Sequence, residues 1–148
     1  MVLSGCGLFL SEKAQLERAQ EAQKRGDLRA AAIDLKSLLE KHPNNRDARF
    51  TLGLVDLQAG DGVAAVRELE RARTDGIPQE RVAEPLARAY MTTGEFDKAL
   101  AVIDDEIEKA KSTTNPALTA ATTAHNDPAL YLRLRGETLF AKRDLPNS

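Results

Sequence analysis

The chain has 148 residues, an apolar share of 42% and an aromatic share of 4% with no Trp, a balance that suits one globular domain of closely packed helices and speaks against a β-rich core. Twenty-one Lys and Arg interleave with 23 Asp and Glu for a net charge of -2, which leaves no basic field to attract nucleic acid. No apolar run reaches the roughly 20 residues of a membrane-spanning helix, and the single cysteine, Cys6, cannot form an internal disulfide.

Taken in chain order, residues 1–10 are a short apolar and Gly-containing lead, and amphipathic stretches follow near 11–25, 28–41, 45–59, 62–74, 79–93 and 96–111. The breaks between them recur at a fixed offset. Gly26-Asp27, Gly60-Asp61 and Gly94-Glu95 are spaced by 34, and Ala31, Ala65 and Ala99 follow each glycine by five residues. Each glycine is placed to take the left-handed conformation that closes a helix, and each acidic residue to start the next one, where the unpaired N–H groups favour negative charge. His42-Pro43-Asn44-Asn45 and Gly76-Ile77-Pro78 separate the resulting hairpins, because proline disfavours helix before it and lacks the N–H to continue one.

Ala19, Gly53 and Ala87, again 34 apart, are small residues on first helices that let Ala31, Ala65 and Ala99 of the partner helix approach. Leu52 and Leu86 on first helices, with Leu35, Leu69 and Ile103 on second helices, supply the expected buried wedge. Arg18 interrupts that pattern in the first unit.

This spacing resembles the tetratricopeptide repeats over roughly residues 12–111. The resemblance implies an all-α fold of antiparallel two-helix repeats stacked as a right-handed α-solenoid, three units over 11–111, with a concave groove lined by first helices. By position, that groove would expose Gln20, Gln23, Phe50, Leu54, Leu57, Arg88 and Met91 to a protein or peptide partner. The Lys/Asn clamp with which some relatives hold a C-terminal carboxylate has Leu16 and Gln20 at its matching first-unit positions, so that activity is not expected.

Leu3-Ser4-Gly5-Cys6 resembles the lipobox cut before a lipidated cysteine, which would make Cys6 a lipid anchor and the only link to a membrane. Two residues precede Leu3, so the required signal segment would have to lie upstream of the given start; the alternative is an ordinary free cysteine in a cytoplasmic protein. With the lipobox, three further stretches resemble the tetratricopeptide lipoproteins of the exosortase/PEP-CTERM sorting system: Gly26-Asp27-Leu28-Arg29-Ala30-Ala31, the run from Pro43 to Phe50, and Gly76-Ile77-Pro78 followed by Pro85 to Tyr90. This implies a bacterial scaffold facing the periplasm, acting in protein sorting or exopolysaccharide export. Outer-membrane assembly or pilus biogenesis is the near alternative, and the regulatory arm of an enzyme the distant one.

Residues 112–128 form a polar, Thr-rich insertion expected to be a loop, and 129–148 resemble the first helix of an incomplete fourth unit, with Gly136 at the small-residue site. The apolar residues around that helix suggest further repeats in a longer chain, or a helix that docks a partner. No catalytic residue, metal site or cofactor is indicated. His42 and His125 lack clustered companions, and Asp104, Asp105, Glu106 and Glu108 are expected on a solvated helix face.

Overall fold

A computed structural model describes residues 11–112 and 127–144. Within them the chain forms seven helices, α1 Glu12–Lys24, α2 Leu28–Lys41, α3 Arg46–Gln58, α4 Gly62–Thr74, α5 Gln79–Thr92, α6 Phe96–Ser112 and α7 Pro128–Asp144, and no strand. Four of the starts are fixed by side-chain caps. Ser11, Asp27, Asn45 and Asp61 accept the backbone N–H of Ala14, Ala30, Ala48 and Ala64, respectively, each worth about 1 kcal/mol against alanine. Glu95 departs from this series: its carboxylate is engaged by Lys98 and by the Thr93 hydroxyl, which hold it below the usual carboxylate range.

The helix ends are closed by one device used four times. Gly26, Gly60, Gly76 and Gly94 have φ of 80, 82, 95 and 77°, and the residue after each donates back into the preceding helix. Asp27, Asp61, Ile77 and Glu95 N–H groups reach the carbonyls of Ala22, Asp56, Ala72 and Tyr90 at 2.8–3.0 Å, satisfying acceptors that a helix terminus leaves open. The sequence period of 34 captures three of these closures. Gly76 adds the same closure at the end of α4, with Ile77 buried as its apolar plug.

The helices pack as antiparallel hairpins, α1 on α2, α3 on α4 and α5 on α6, with α2 on α3, α4 on α5 and α6 on α7 joining them into a stack. First helices also touch across the stack, α1 on α3 and α3 on α5. Leu35, Leu69 and Ile103, with Leu52 and Leu86, are buried between hairpins, and Ala19, Ala31, Ala65, Ala87 and Ala99 are sealed at the crossings. Gly53 has the tightest crossing: a Cβ there would lie 2.7 Å from Leu69 Cγ and 2.9 Å from its Cδ2. Arg18, out of pattern, faces outward and forms a two-pronged pair with Asp34, at 2.8 and 2.5 Å.

The stack corrects three expectations. Glu106 is not on a solvated face: α7 covers α6 there, leaving Glu106 buried with Lys109 Nζ at 3.0 Å. Gly136 is not at a tight crossing, since nothing lies within 4 Å of the position its Cβ would occupy. The two end residues of the stretch expected as a loop are helical, Ser112 closing α6 and Pro128 occupying the first position of α7, where its missing N–H costs nothing, and residues 113–126 lie outside the described residues. His42 meets one carboxylate, Glu12, at 2.8 Å, with both side chains partly exposed, as a surface histidine would. Cys6 and His125 lie outside the described residues.

Candidate protein-interaction face

The first helices carry side chains whose spacing on α3 repeats on α5. Phe50 lies on the side of α3 that meets α5, and Leu54 and Leu57 follow it along the helix. Arg81, Glu84, Arg88 and Met91 occupy the equivalent positions of α5, 34 residues after Asp47, Phe50, Leu54 and Leu57. Arg81 spans the two helices, with its guanidinium 4.8 Å from the centroid of the Phe50 ring and 3.5 Å from Asp47 Oδ1. A cation over an aromatic face contributes roughly 0.5–1 kcal/mol at such an exposed site.

Between the helices lies a notch of about 150 Å³ lined by Phe50, Leu54, Arg81, Glu84 and Pro85. Phe50 and Pro85 are buried and Leu54 is half-buried, while Arg81 and Glu84 give the rim one charge of each sign. Pro85 sits inside α5, which runs through it from Gln79 to Thr92; its ring leaves the Arg81 carbonyl without the usual helical donor. The notch can therefore accept an apolar side chain between two opposite charges.

The expected groove residues divide. Phe50 was expected to be exposed but is only 8% accessible, because Arg81 and the α3–α5 contact cover it; it is a floor residue. Leu54 joins it at the notch. Leu57 and Met91 are half-buried against the same core cluster, and Arg88 is held by Glu84 at 2.7 Å. Gln20 and Gln23 are half-buried on α1, and Gln23 Nε2 donates to Gln58 Oε1 at 3.1 Å, tying α1 to α3. Arg81 and Glu84 were missed, although adding 34 to Asp47 and Phe50 identifies both. Gly26, Gly60 and Gly94 shape the turns, and Ala31, Ala65 and Ala99 shape the crossings.

The opposite side of α3 is structural. Arg49 lies between Glu68 at 3.2 Å and Asp75 at 3.1 Å in partly buried surroundings and also donates to the exposed Pro43 carbonyl at 2.7 Å. Nearby, Asp56 is 8% exposed and its Oδ2 has no hydrogen-bond partner. Burial raises its pKa to about 6, with Lys36 opposing the shift and Asp61 and Glu68 adding to it.

Repeated antiparallel hairpins stacked along one direction, each held by the same glycine closure and small-residue crossing, define an α-helical repeat protein. Residues 16–81 match the family model described as tetratricopeptide repeat, which supports that family for the helical array, from α1 into the start of α5. Arrays of this family generally bind protein partners and are typically non-catalytic. The match names the repeat alone and adds nothing to the narrower kinship with sorting-system lipoproteins. No curated protein matches the chain. Among the described residues no helix is long and apolar enough to cross a membrane.

Proposed function

We propose that the chain is a non-catalytic scaffold that holds another polypeptide on the face formed by its first helices. The observation that carries this reading is the notch between α3 and α5, apolar at its floor and charged at its rim. The cross-stack contacts of α1 with α3 and α3 with α5 support a curvature that puts these helices on the inner side, where a peptide or helix meets several repeats at once. Because the helices are preformed, binding orders only the ligand, which lowers the entropic cost of association. Leu54, Leu57, Arg88 and Met91 extend the surface along the stack, with Gln20 and Gln23 at its α1 end.

In the narrower form of this proposal, residues 11–111 are three repeats, α7 opens a fourth, and Cys6 carries lipid in a bacterial lipoprotein facing the periplasm. Its task there is PEP-CTERM/exosortase-linked sorting or exopolysaccharide export. This form rests on Leu3-Ser4-Gly5-Cys6 and on the stretches around Gly26, Pro43 and Pro85. The test of the scaffold is co-purification of partners from the native host with the intact chain and with Leu54→Glu. Leu54 is only half-buried, so a charge there spares the fold, checked by circular dichroism. Loss of a specific protein partner is expected; an unchanged set of partners would refute the assignment of this face.

A further inference from the structure

Pro85 is out of keeping with the helix that holds it. A proline inside a helix is costly, because it removes one donor and its ring crowds the carbonyl four residues back. The equivalent residue of α3, 34 positions earlier, is Thr51, whose hydroxyl donates to the Asp47 carbonyl at 2.8 Å. The matching carbonyl of α5, that of Arg81, receives neither a helical N–H nor a hydroxyl from position 85. Arg81 and Pro85 flank this carbonyl on one face of α5 and both line the notch, which sets the acceptor at the notch wall. Around it stand a ring, an aliphatic chain and two charges: Phe50 and Leu54 on α3, with the Arg81 guanidinium and the Glu84 carboxylate at the rim.

Taking the first-helix face as the partner surface, on which this inference rests, we propose that the notch receives the indole of a tryptophan of the partner. Its ring lies among Phe50, Leu54 and Pro85, and its N–H is directed to the Arg81 carbonyl. The electrostatics of that ring match the notch at both poles, since an aromatic ring is negative on its faces and positive at its edge. The Arg81 guanidinium already lies 4.8 Å from the Phe50 centroid, and a second ring beside Phe50 comes under the same cation. The positive edge meets acceptors, the Arg81 carbonyl and the Glu84 carboxylate, the latter also held by Arg88 at 2.7 Å. Indole carries one polar hydrogen and no acceptor, whereas a tyrosine hydroxyl brings lone pairs that neither acceptor can serve. Leucine would fill the space and leave the carbonyl unpaired. A notch of about 150 Å³ has room for one such side chain, so the tryptophan is an anchor and the rest of the partner lies across the first helices.

The probes are N-acetyl-tryptophan amide, its analogue methylated at the indole nitrogen, and N-acetyl-leucine amide, each titrated by NMR into the whole isotope-labelled chain. The tryptophan amide is expected to shift the backbone amides of Phe50, Leu54 and Glu84 saturably, and weakly, as a single side chain must. The methylated analogue should bind about five- to tenfold more weakly, the worth of one hydrogen bond to an otherwise unpaired acceptor. In Pro85→Ala the restored N–H occupies the Arg81 carbonyl, so the two should bind equally, with circular dichroism checking that the helices are kept. Three results would each overturn the proposal: equal affinity of the methylated and unmethylated probes for the native chain, a leucine amide that binds as tightly as the tryptophan amide, or no saturable shift at the notch. The scaffold reading stands or falls separately, on the partners lost with Leu54→Glu.

Discussion

The same substitution should have opposite effects at two glycines of the stack. Gly53 and Gly136 both lie inside helices, so replacing either with alanine gains about 0.8–1 kcal/mol of helix propensity. At Gly136 no atom stands within 4 Å of the new methyl, and the gain should appear nearly whole. At Gly53 the methyl would meet Leu69 Cγ at 2.7 Å and the Leu69 backbone N at 3.3 Å. Leu69 is fully buried and cannot swing into solvent, so α3 and α4 must separate. Overpacking of this kind costs about 1–3 kcal/mol, which exceeds the propensity gain over most of its range. The expected outcome is a net loss of up to about 2 kcal/mol for Gly53→Ala and a gain of roughly 1 kcal/mol for Gly136→Ala. In thermal melts followed by circular dichroism these correspond to shifts of opposite sign, about 2–4 °C per kcal/mol. Stabilisation by Gly53→Ala equal to that by Gly136→Ala would refute the crossing geometry.

Asp56 has its pKa raised from 3.8 to about 6, so the folded state holds a proton that the unfolded chain releases earlier. Stability should therefore fall as pH rises from about 4 to 6 and stay reduced above that, by up to about 3 kcal/mol at 1.36 kcal/mol per unit. Denaturant titrations across that range should show this slope in the wild type, and its loss in Asp56→Asn identifies the group. Arg49→Met removes the cation that Glu68 and Asp75 share, while Arg67 and Arg71 still pair with them, and should cost about 1.5–3 kcal/mol; a double-mutant cycle with Glu68→Gln should show coupling. Tyr90→Phe removes the hydroxyl that donates to the Glu70 carboxylate and should cost about 1.5–3 kcal/mol by urea unfolding.

Much of the architecture was legible in the sequence because its determinants are local. A positive-φ glycine, an Asp or Asn cap and a Pro-containing turn act within a few residues, so Gly26, Asp27 and Pro43 announce helix ends without knowledge of the fold. The crossings at Ala31, Ala65 and Ala99 were legible through repetition. What remained hidden depends on which neighbour covers a face. Glu106 looks like part of an acidic surface until α7 lies over it, and Gly136 looks like a crossing residue until no helix meets it. Phe50 reads as an exposed groove aromatic because the cation that covers it, Arg81, is 31 residues away. Asp56 stands where the third hairpin has Tyr90, a substitution visible at the offset of 34, but its unpartnered oxygen follows only from the packing of α3.

The most direct test of the interaction face is site-specific photocrosslinking in the native host. A photoreactive residue would be placed at Leu54 or Met91 on first helices and, for contrast, at Val63, which is 72% exposed on α4. Adducts to the same protein partner from positions 54 and 91, with none from 63, are the expected result. Equal or stronger adducts from position 63 would contradict the assignment of partner binding to the first helices.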